Sequence, residues 1–284
     1  GEPLANRFML APLTNLQSAP DGTLSDDEHR WLVHRAEGGF GLVMTCAAHV
    51  QKGGQGFPGQ LGIWSDTHLP GLTRLARDLA AAGSVSSVQI QHSGRRADPA
   101  LSGEAAVCPW DDAKTGARAL TTWEVEQLIE DFIRAALRAE EAGFAGVELH
   151  GAHGYLIGQF LDAANVHRQD AYGGSFENRQ RMLFAIIDGI AERAGSSFQL
   201  GLRLSPERFG ITIAEARETA RRAMAGGKLD YLDMSLWDVF GTPREEEHQG
   251  KPLIAHFTDI PRGDCRLGVA GKLMDARACQ AALD

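Results

Sequence analysis

Three side chains that could share one reaction stand within six residues, in His150-Gly151-Ala152-His153-Gly154-Tyr155. Two imidazoles three positions apart can each donate a hydrogen bond to the same oxygen, and a phenol beside them can deliver a proton. The same H-x-x-H spacing also suits a metal pair. For that reading the acids at hand are Asp233 and Glu148, the latter sharing the side-chain direction of His150 two residues on. Spacing alone leaves proton transfer, metal binding and plain packing of the tyrosine open.

Whatever the chemistry, the segment follows directly on a short apolar run, Gly146 to His150. Six similar runs occur: Arg7 to Leu13, Gly41 to Ala48, Val85 to Gln91, Gln199 to Leu204, Asp230 to Ser235 and Arg266 to Gly271. Near-continuous apolar character over so few residues predicts parallel strands buried on both faces. Helix-period segments separate them. Ser25 with Glu28, Thr121 with Glu124 and Thr212 with Glu215 each match a capping box. Helix ends fall at Gly38-Gly39, Gly83, Gly143, Gly195 and Gly226-Gly227, so much of the chain's 33 glycines is punctuation.

Seven such units without a domain-sized break in composition predict one (β/α)8 barrel over residues 1–284. A doubly wound open sheet is disfavoured, because no G-x-G-x-x-G follows any strand. A barrel places its site at the C-terminal ends of the strands, which is where His150, His153 and Tyr155 fall. The long connection from Ser93 to Leu120, carrying Pro99, Gly103, Pro109 and Gly116, reads as a loop over that face.

The 28 basic and 37 acidic side chains give a net charge of −9, with the basic residues scattered. That distribution offers no footprint for nucleic acid or an anionic membrane surface. Cys46, Cys108, Cys265 and Cys279 contain no C-x-x-C pair, which excludes a zinc knuckle or iron–sulfur cluster and suits reduced thiols in the cytoplasm. No stretch reaches the roughly 18 apolar residues of a membrane span.

Beyond the histidines the chain continues Tyr155-Leu156-Ile157-Gly158-Gln159-Phe160-Leu161, then Asn165, Arg168, Asp170, Tyr172-Gly173-Gly174-Ser175 and Asn178-Arg179. This resembles the Old Yellow Enzyme family of flavin-dependent ene reductases, whose pattern reads H-G-A-[HN]-G-Y-L followed by Y-G-G-S-x-x-N-R. The likeness extends to Asn6 through Thr14 on the first strand, Gln89 through Arg95 on the third and Arg203-Leu204-Ser205 on the fifth.

The resemblance implies non-covalent FMN on the barrel top and NAD(P)H as hydride donor. Ala11, Pro12, Leu13 and Thr14 would run beneath the isoalloxazine, with the Thr14 hydroxyl near the C4 carbonyl. Ala47 would sit at the ring edge. Gln89, both donor and acceptor, suits the pyrimidine edge. Arg203 would neutralise charge developing at N1 and O2. His150 would touch the ring, and Gly271 and Lys272 would present backbone to the phosphate. His150 and His153 would hold the carbonyl oxygen of an α,β-unsaturated substrate while hydride reaches the β-carbon, and Tyr155 would protonate the α-carbon. Arg95, Arg168, Asp170 and Arg179, with His92, are assigned to holding loops.

Two rivals remain at this point: the barrel of a dienoyl-CoA reductase or amine dehydrogenase, which would add a cysteine-rich cluster loop, and a metal-dependent barrel hydrolase using His150 and His153. The sequence leaves homo-oligomerisation open. It starts at Gly1 without Met, and the family's eighth strand, with its Gly-Arg phosphate clamp, does not follow the seventh. The natural protein is therefore expected to continue past Asp284. The 284-residue piece alone is expected to bind FMN poorly or not fold.

Overall fold

The computed structural model describes residues 3–284; Gly1 and Glu2, where the chain starts, lie outside the described residues. One curled sheet contains seven parallel strands in strict chain order. They are β1 (Met9–Leu10), β2 (Leu42–Met44), β3 (Val85–Gln91), β4 (Gly146–Gly151), β5 (Gln199–Leu204), β6 (Tyr231–Ser235) and β7 (Arg266–Ala270). The helices that follow them are α1 (Asp26–Glu37), α2 (Leu69–Ala81), α3 (Thr122–Glu141), α4 (Leu156–Leu161), α5 (Phe176–Arg193), α6 (Ile213–Ala225) and α7 (Ala276–Leu283). Among the described residues β1 pairs only with β2, and β7 only with β6. No helix of the described residues is long and apolar enough to cross a membrane.

Two strands depart from their predicted extents. The run from Arg7 to Leu13 pairs only at Met9 and Leu10. Pro12 lacks the N–H a ladder needs, and the chain leaves the sheet there. The second run bends after Met44 and resumes pairing at Ala48 and His49, opposite Ile90 and Gln91. At the bend the Cys46 thiol donates to the Glu28 carboxylate at 3.0 Å.

Burial on both faces is as the runs predict, but the two faces differ in kind. The residues facing the helices are apolar: Val88 and Ile90, Val147 and Leu149, Leu200 and Leu202, Leu232 and Met234, all buried. They meet Phe132, Leu128, Met182, Leu183, Ile186 and Ile190 in one core. The alternate residues, which face the inside of the curl, are largely polar in β3 to β6: Ser87, Gln89, Glu148, His150, Arg203, Tyr231, Asp233 and Ser235. Below them Met9, Leu42, Met44, Val85 and Tyr231 form a small apolar floor. Gly201 makes room there, since a Cβ on it would fall inside the Tyr231 ring.

The capping boxes hold in part. Thr121 and Glu124 satisfy each other's backbone N–H groups. Ser25 and Thr212 do accept from the N–H of Glu28 and Glu215, but neither glutamate returns the bond. Glu28 turns inward to accept from Asn15 at 3.0 Å, from Ser18 and from Cys46. Glu215 instead takes both ends of the Arg179 guanidinium. A buried polar demand in each case outcompetes the surface cap. The Ser93–Leu120 loop carries a helical turn at Pro99–Ser102 and a two-stranded parallel ladder, Val107–Cys108 with Arg118–Ala119.

Candidate active site

The strand register builds the site. Gln89 lies opposite Glu148, His150 opposite Arg203, and Arg203 opposite Asp233, so the inward polar side chains of β3 to β6 meet at neighbouring heights. From the bottom, Gln89 Nε2 donates to Glu148 Oε1 at 2.7 Å. Arg203 Nε lies 3.0 Å from Asp233 Oδ2, and its Nη2 donates to Ser235 Oγ at 3.1 Å. Ser235 Oγ lies 2.7 Å from His153 Nε2, and His153 Nδ1 lies 3.2 Å from His150 Nε2. A continuous polar chain thus runs from Asp233 to His150.

His153 adopts a left-handed backbone, φ 61°. Its surroundings fix that conformation: the N–H donates to Ser205 Oγ at 3.0 Å, and the carbonyl accepts from Arg96 Nη1 at 2.6 Å. Strain held by its neighbours in this way is typical of functional positions. Gly154 follows, its carbonyl accepting from Gln159 Nε2 at 2.9 Å. Gln159 also donates to the Ser93 carbonyl and accepts from the Arg95 N–H, tying the loop after β3 to the loop after β4. Tyr155 is tilted against His150, ring centroids 5.2 Å apart, and carries the Arg96 guanidinium 4.5 Å over its face.

Both imidazoles are neutral at physiological pH. Burial, then the charges of Arg203 and Arg96, lowers His153 to about 4. Burial first, followed by the neighbouring His153, holds His150 well below the usual imidazole value. Each ring can then donate one hydrogen bond and accept another. In this structure they bond each other, leaving His150 Nδ1 buried without a partner.

The remaining predicted residues are dispersed around this centre. Ala11 and Pro12 are half-buried at the mouth, and Leu13 and Thr14 are exposed beside them, anchored through Asn15 and Ser18 to Glu28. Ala47 is half-buried, its carbonyl held by Gln60. Gly271 leaves room for the Leu236 carbonyl, which a Cβ there would strike, and the Lys272 amine lies 3.2 Å from the Asp238 carboxylate. Arg168 binds Asp170 and the carbonyls of Pro109 and Leu120; Arg179 binds Glu215 and the Leu161 carbonyl; Arg95 pairs with Asp112. His92 is buried and accepts from the Gly94 N–H.

Ser235, Ser205, Arg96 and Gln159 went unread in the sequence. Ser205 and Gln159 sat inside the quoted motifs without a role assigned to them, and Ser235 carried a signal as the last residue of a predicted strand. The ligand set of a metal hydrolase is not assembled. Glu148 bonds Gln89, Asp233 faces Arg203, and the histidine nitrogens face each other and Ser235. Among the described residues the one grouping of at least three His, Cys or acidic side chains with metal-holding geometry is Glu245, Glu247 and His248, elsewhere on the surface.

A parallel sheet in chain order thus carries neutral histidines, a tyrosine and a buried guanidinium at its C-terminal end, a site of the kind a flavin-binding oxidoreductase would use. The chain belongs to the NADH:flavin oxidoreductase / NADH oxidase family, which it matches over residues 2–247. It is 40% identical over 250 residues to a probable NADH-dependent flavin oxidoreductase of Bacillus subtilis, covering 84% of this chain and 67% of that protein. Two further curated relatives, an NADPH dehydrogenase of Bacillus velezensis and an NADH oxidase of Thermoanaerobacter brockii, are spanned over 56% and 36% of their lengths. Among solved structures, an Old Yellow Enzyme homologue from Zymomonas mobilis superimposes with TM-score 0.85 at 28% identity, covering 98% of this chain and 81% of that one. A 2-naphthoyl-CoA reductase in complex with 2-naphthoyl-CoA superimposes with TM-score 0.89 at 27% identity, over 99% of this chain and 46% of that one.

The cofactors of this family are FMN and a nicotinamide hydride donor, and the residues present fit a flavin. Gln89 gives one N–H to Glu148 and keeps a second N–H and its carbonyl oxygen, the donor and acceptor an imide edge needs. Arg203 supplies a buried permanent cation, and the orphaned His150 Nδ1 is a polar atom awaiting a partner.

Proposed function

We propose that the chain is the catalytic barrel of an FMN-dependent oxidoreductase that takes hydride from NAD(P)H and reduces the activated C=C bond of α,β-unsaturated carbonyl compounds. The observation that carries this reading is the neutral His150–His153 pair beside Tyr155, next to Arg203, at the C-terminal end of β4. FMN, when bound, supplies the hydride relay between nicotinamide and alkene. Ala11 to Thr14, Ala47, Gln89, His150, Arg203, Gly271 and Lys272 would hold it. When a carbonyl oxygen arrives, the two imidazoles exchange their mutual bond for bonds to it, stabilising the negative charge that builds there. Tyr155 Oη then gives its proton to the α-carbon. Arg203, pinned by Asp233 and Ser235, would stand toward the flavin edge that takes on negative charge when the ring is reduced.

The unpaired edges of β1 and β7 support reading the seven strands as strands one to seven of a (β/α)8 barrel, a single FMN-binding unit over 1–284 that an eighth strand would close. Four free thiols support a reducing, cytoplasmic setting.

Stopped-flow kinetics on Tyr155→Phe test the assignment. Flavin reduction by NAD(P)H is expected to persist, while reoxidation by an enone such as 2-cyclohexenone slows on the order of 10²-fold or more, the usual scale of a lost general acid. Equal loss in both half-reactions would remove Tyr155 from the proton-donor role.

A further inference from the structure

Beneath the catalytic residues lie two acids the mechanism above does not use. Glu148 and Asp233 are wholly buried inside the curl of the sheet, with one guanidinium, Arg203, between β4 and β6 to balance them. Every group facing them can be named: Ser87 and Gln89 from β3, His150 from β4, Arg203 from β5 and Tyr231 from β6. None of these but Arg203 is a cation, since His150 is neutral and burial holds the Tyr231 phenol protonated. Two carboxylates against one guanidinium would leave an uncompensated charge in the core, at a cost the protein avoids by retaining a proton. Asp233 Oδ2 meets Arg203 Nε at 3.0 Å, while Glu148 Oε2 and Asp233 Oδ1 are buried without a hydrogen-bond partner, which raises the cost of ionising both acids at once.

We propose that the Glu148–Asp233 pair is a redox-linked proton site: it carries one proton at neutral pH, loses it in alkaline solution, and takes it back when the flavin above Arg203 is reduced. The coupling is electrostatic. Hydride transfer from the nicotinamide to bound FMN would bring two electrons and one proton, so the ring would gain one negative charge. That charge competes for the Arg203 guanidinium, which alone stabilises ionised carboxyls in this core. Above about pH 8, where the oxidised protein has lost the pair's proton, a second proton then enters from solvent onto the pair, and no bond to carbon or to the ring is involved. Burial, followed by the Asp233 charge, lifts Glu148 to about 8, which places the oxidised-state loss in an accessible range. At neutral pH the proton keeps Arg203 from being overcompensated, so its field reaches the flavin.

The inference rests on placing the flavin edge over Arg203. The test is a redox titration of the FMN-loaded wild type and Glu148→Gln from pH 6 to 10. The wild type is expected to take up one proton per two electrons at neutral pH and two above about pH 8, doubling the slope of potential against pH, while Glu148→Gln keeps the single-proton slope throughout. An unbroken wild-type slope, or the same break in Glu148→Gln, would overturn the proposal. Should Glu148→Gln not fold, infrared spectra of the wild type carrying ¹³C-glutamate decide. With ¹³C-aspartate examined alongside, a protonated carboxyl band from either label, present at pH 7 and lost by pH 9.5 in the oxidised protein, supports the site, and the absence of both bands at pH 7 overturns it. Arg203→Gln separates the two readings. If FMN affinity and potential ignore that change, the flavin placement itself fails; if they respond but the wild-type slope never breaks, only the proton site fails.

Discussion

At the residue scale, the site combines bases that refuse protons with an acid that keeps one, and folding stability must register both. Burial lowers His49 and His153 to about 4 and His92 to about 3, and holds His150 well below 6.5. Below pH 6.5 the unfolded chain binds protons that these folded histidines do not, so their contribution, complete above 6.5, is lost as pH falls toward 4. Glu148 works in the other direction. Its folded value near 8 exceeds 4.5, so its contribution is complete below 4.5 and lost as pH rises through 8. With four histidines against the one proton held by the pair, urea-denaturation midpoints are expected to peak at about pH 7 and to decline on both sides. A midpoint that rises steadily from pH 5 to 9 would contradict the burial of these groups. The histidines and Tyr155 were legible because they adjoin in the sequence. Their partners Ser205 and Ser235 lie 52 and 82 residues from His153, a proximity that only strand register creates.

At the element scale, the loops after β3 and β4 are tied to each other in part by one side chain on α4, Gln159. Gln159 satisfies three main-chain groups, and Gly94, at φ 61°, leaves its carboxamide the space to do so. Gln159→Leu strands those groups in the interior, at about 1–3 kcal/mol each in part offset by relaxation, so a net loss of about 3 kcal/mol is expected. Urea midpoints measure it, and phenol binding to the FMN-loaded variant, read by its charge-transfer absorbance, should weaken as His153 loosens. A loss under about 0.5 kcal/mol, the scale of an ordinary surface change, would show that the clamp is dispensable. Strand positions were largely readable: β3 and β5 have their predicted bounds. The polar inner face was missed because each run was judged by its average character, whereas alternation at period two separates Val88 and Ile90 from Gln89. The ends of the first two strands escaped notice for a different reason. They are set by Pro12 and by the thiol of Cys46 reaching Glu28, a contact outside any local pattern.

At the scale of the whole molecule, stability should fall from the middle of the sheet outward. Strands β3, β4 and β5 are buried along their full length, whereas β1 and β7 are only half-buried and pair on one side. Hydrogen exchange followed by mass spectrometry on the 284-residue chain is expected to show slow amides in the three central strands and faster ones in β7 and α7. Uniform protection across all seven would mean the edges are covered in solution. The strict chain order of the strands bears also on how the protein is made. Each strand leaving the ribosome finds its neighbour already synthesised, so the sheet can lengthen one unit at a time with no strand waiting for a distant partner. The polar interior follows the same schedule: Gln89 is available before Glu148, and Arg203 before Asp233, so the second of the two acids emerges only after the cation that answers it.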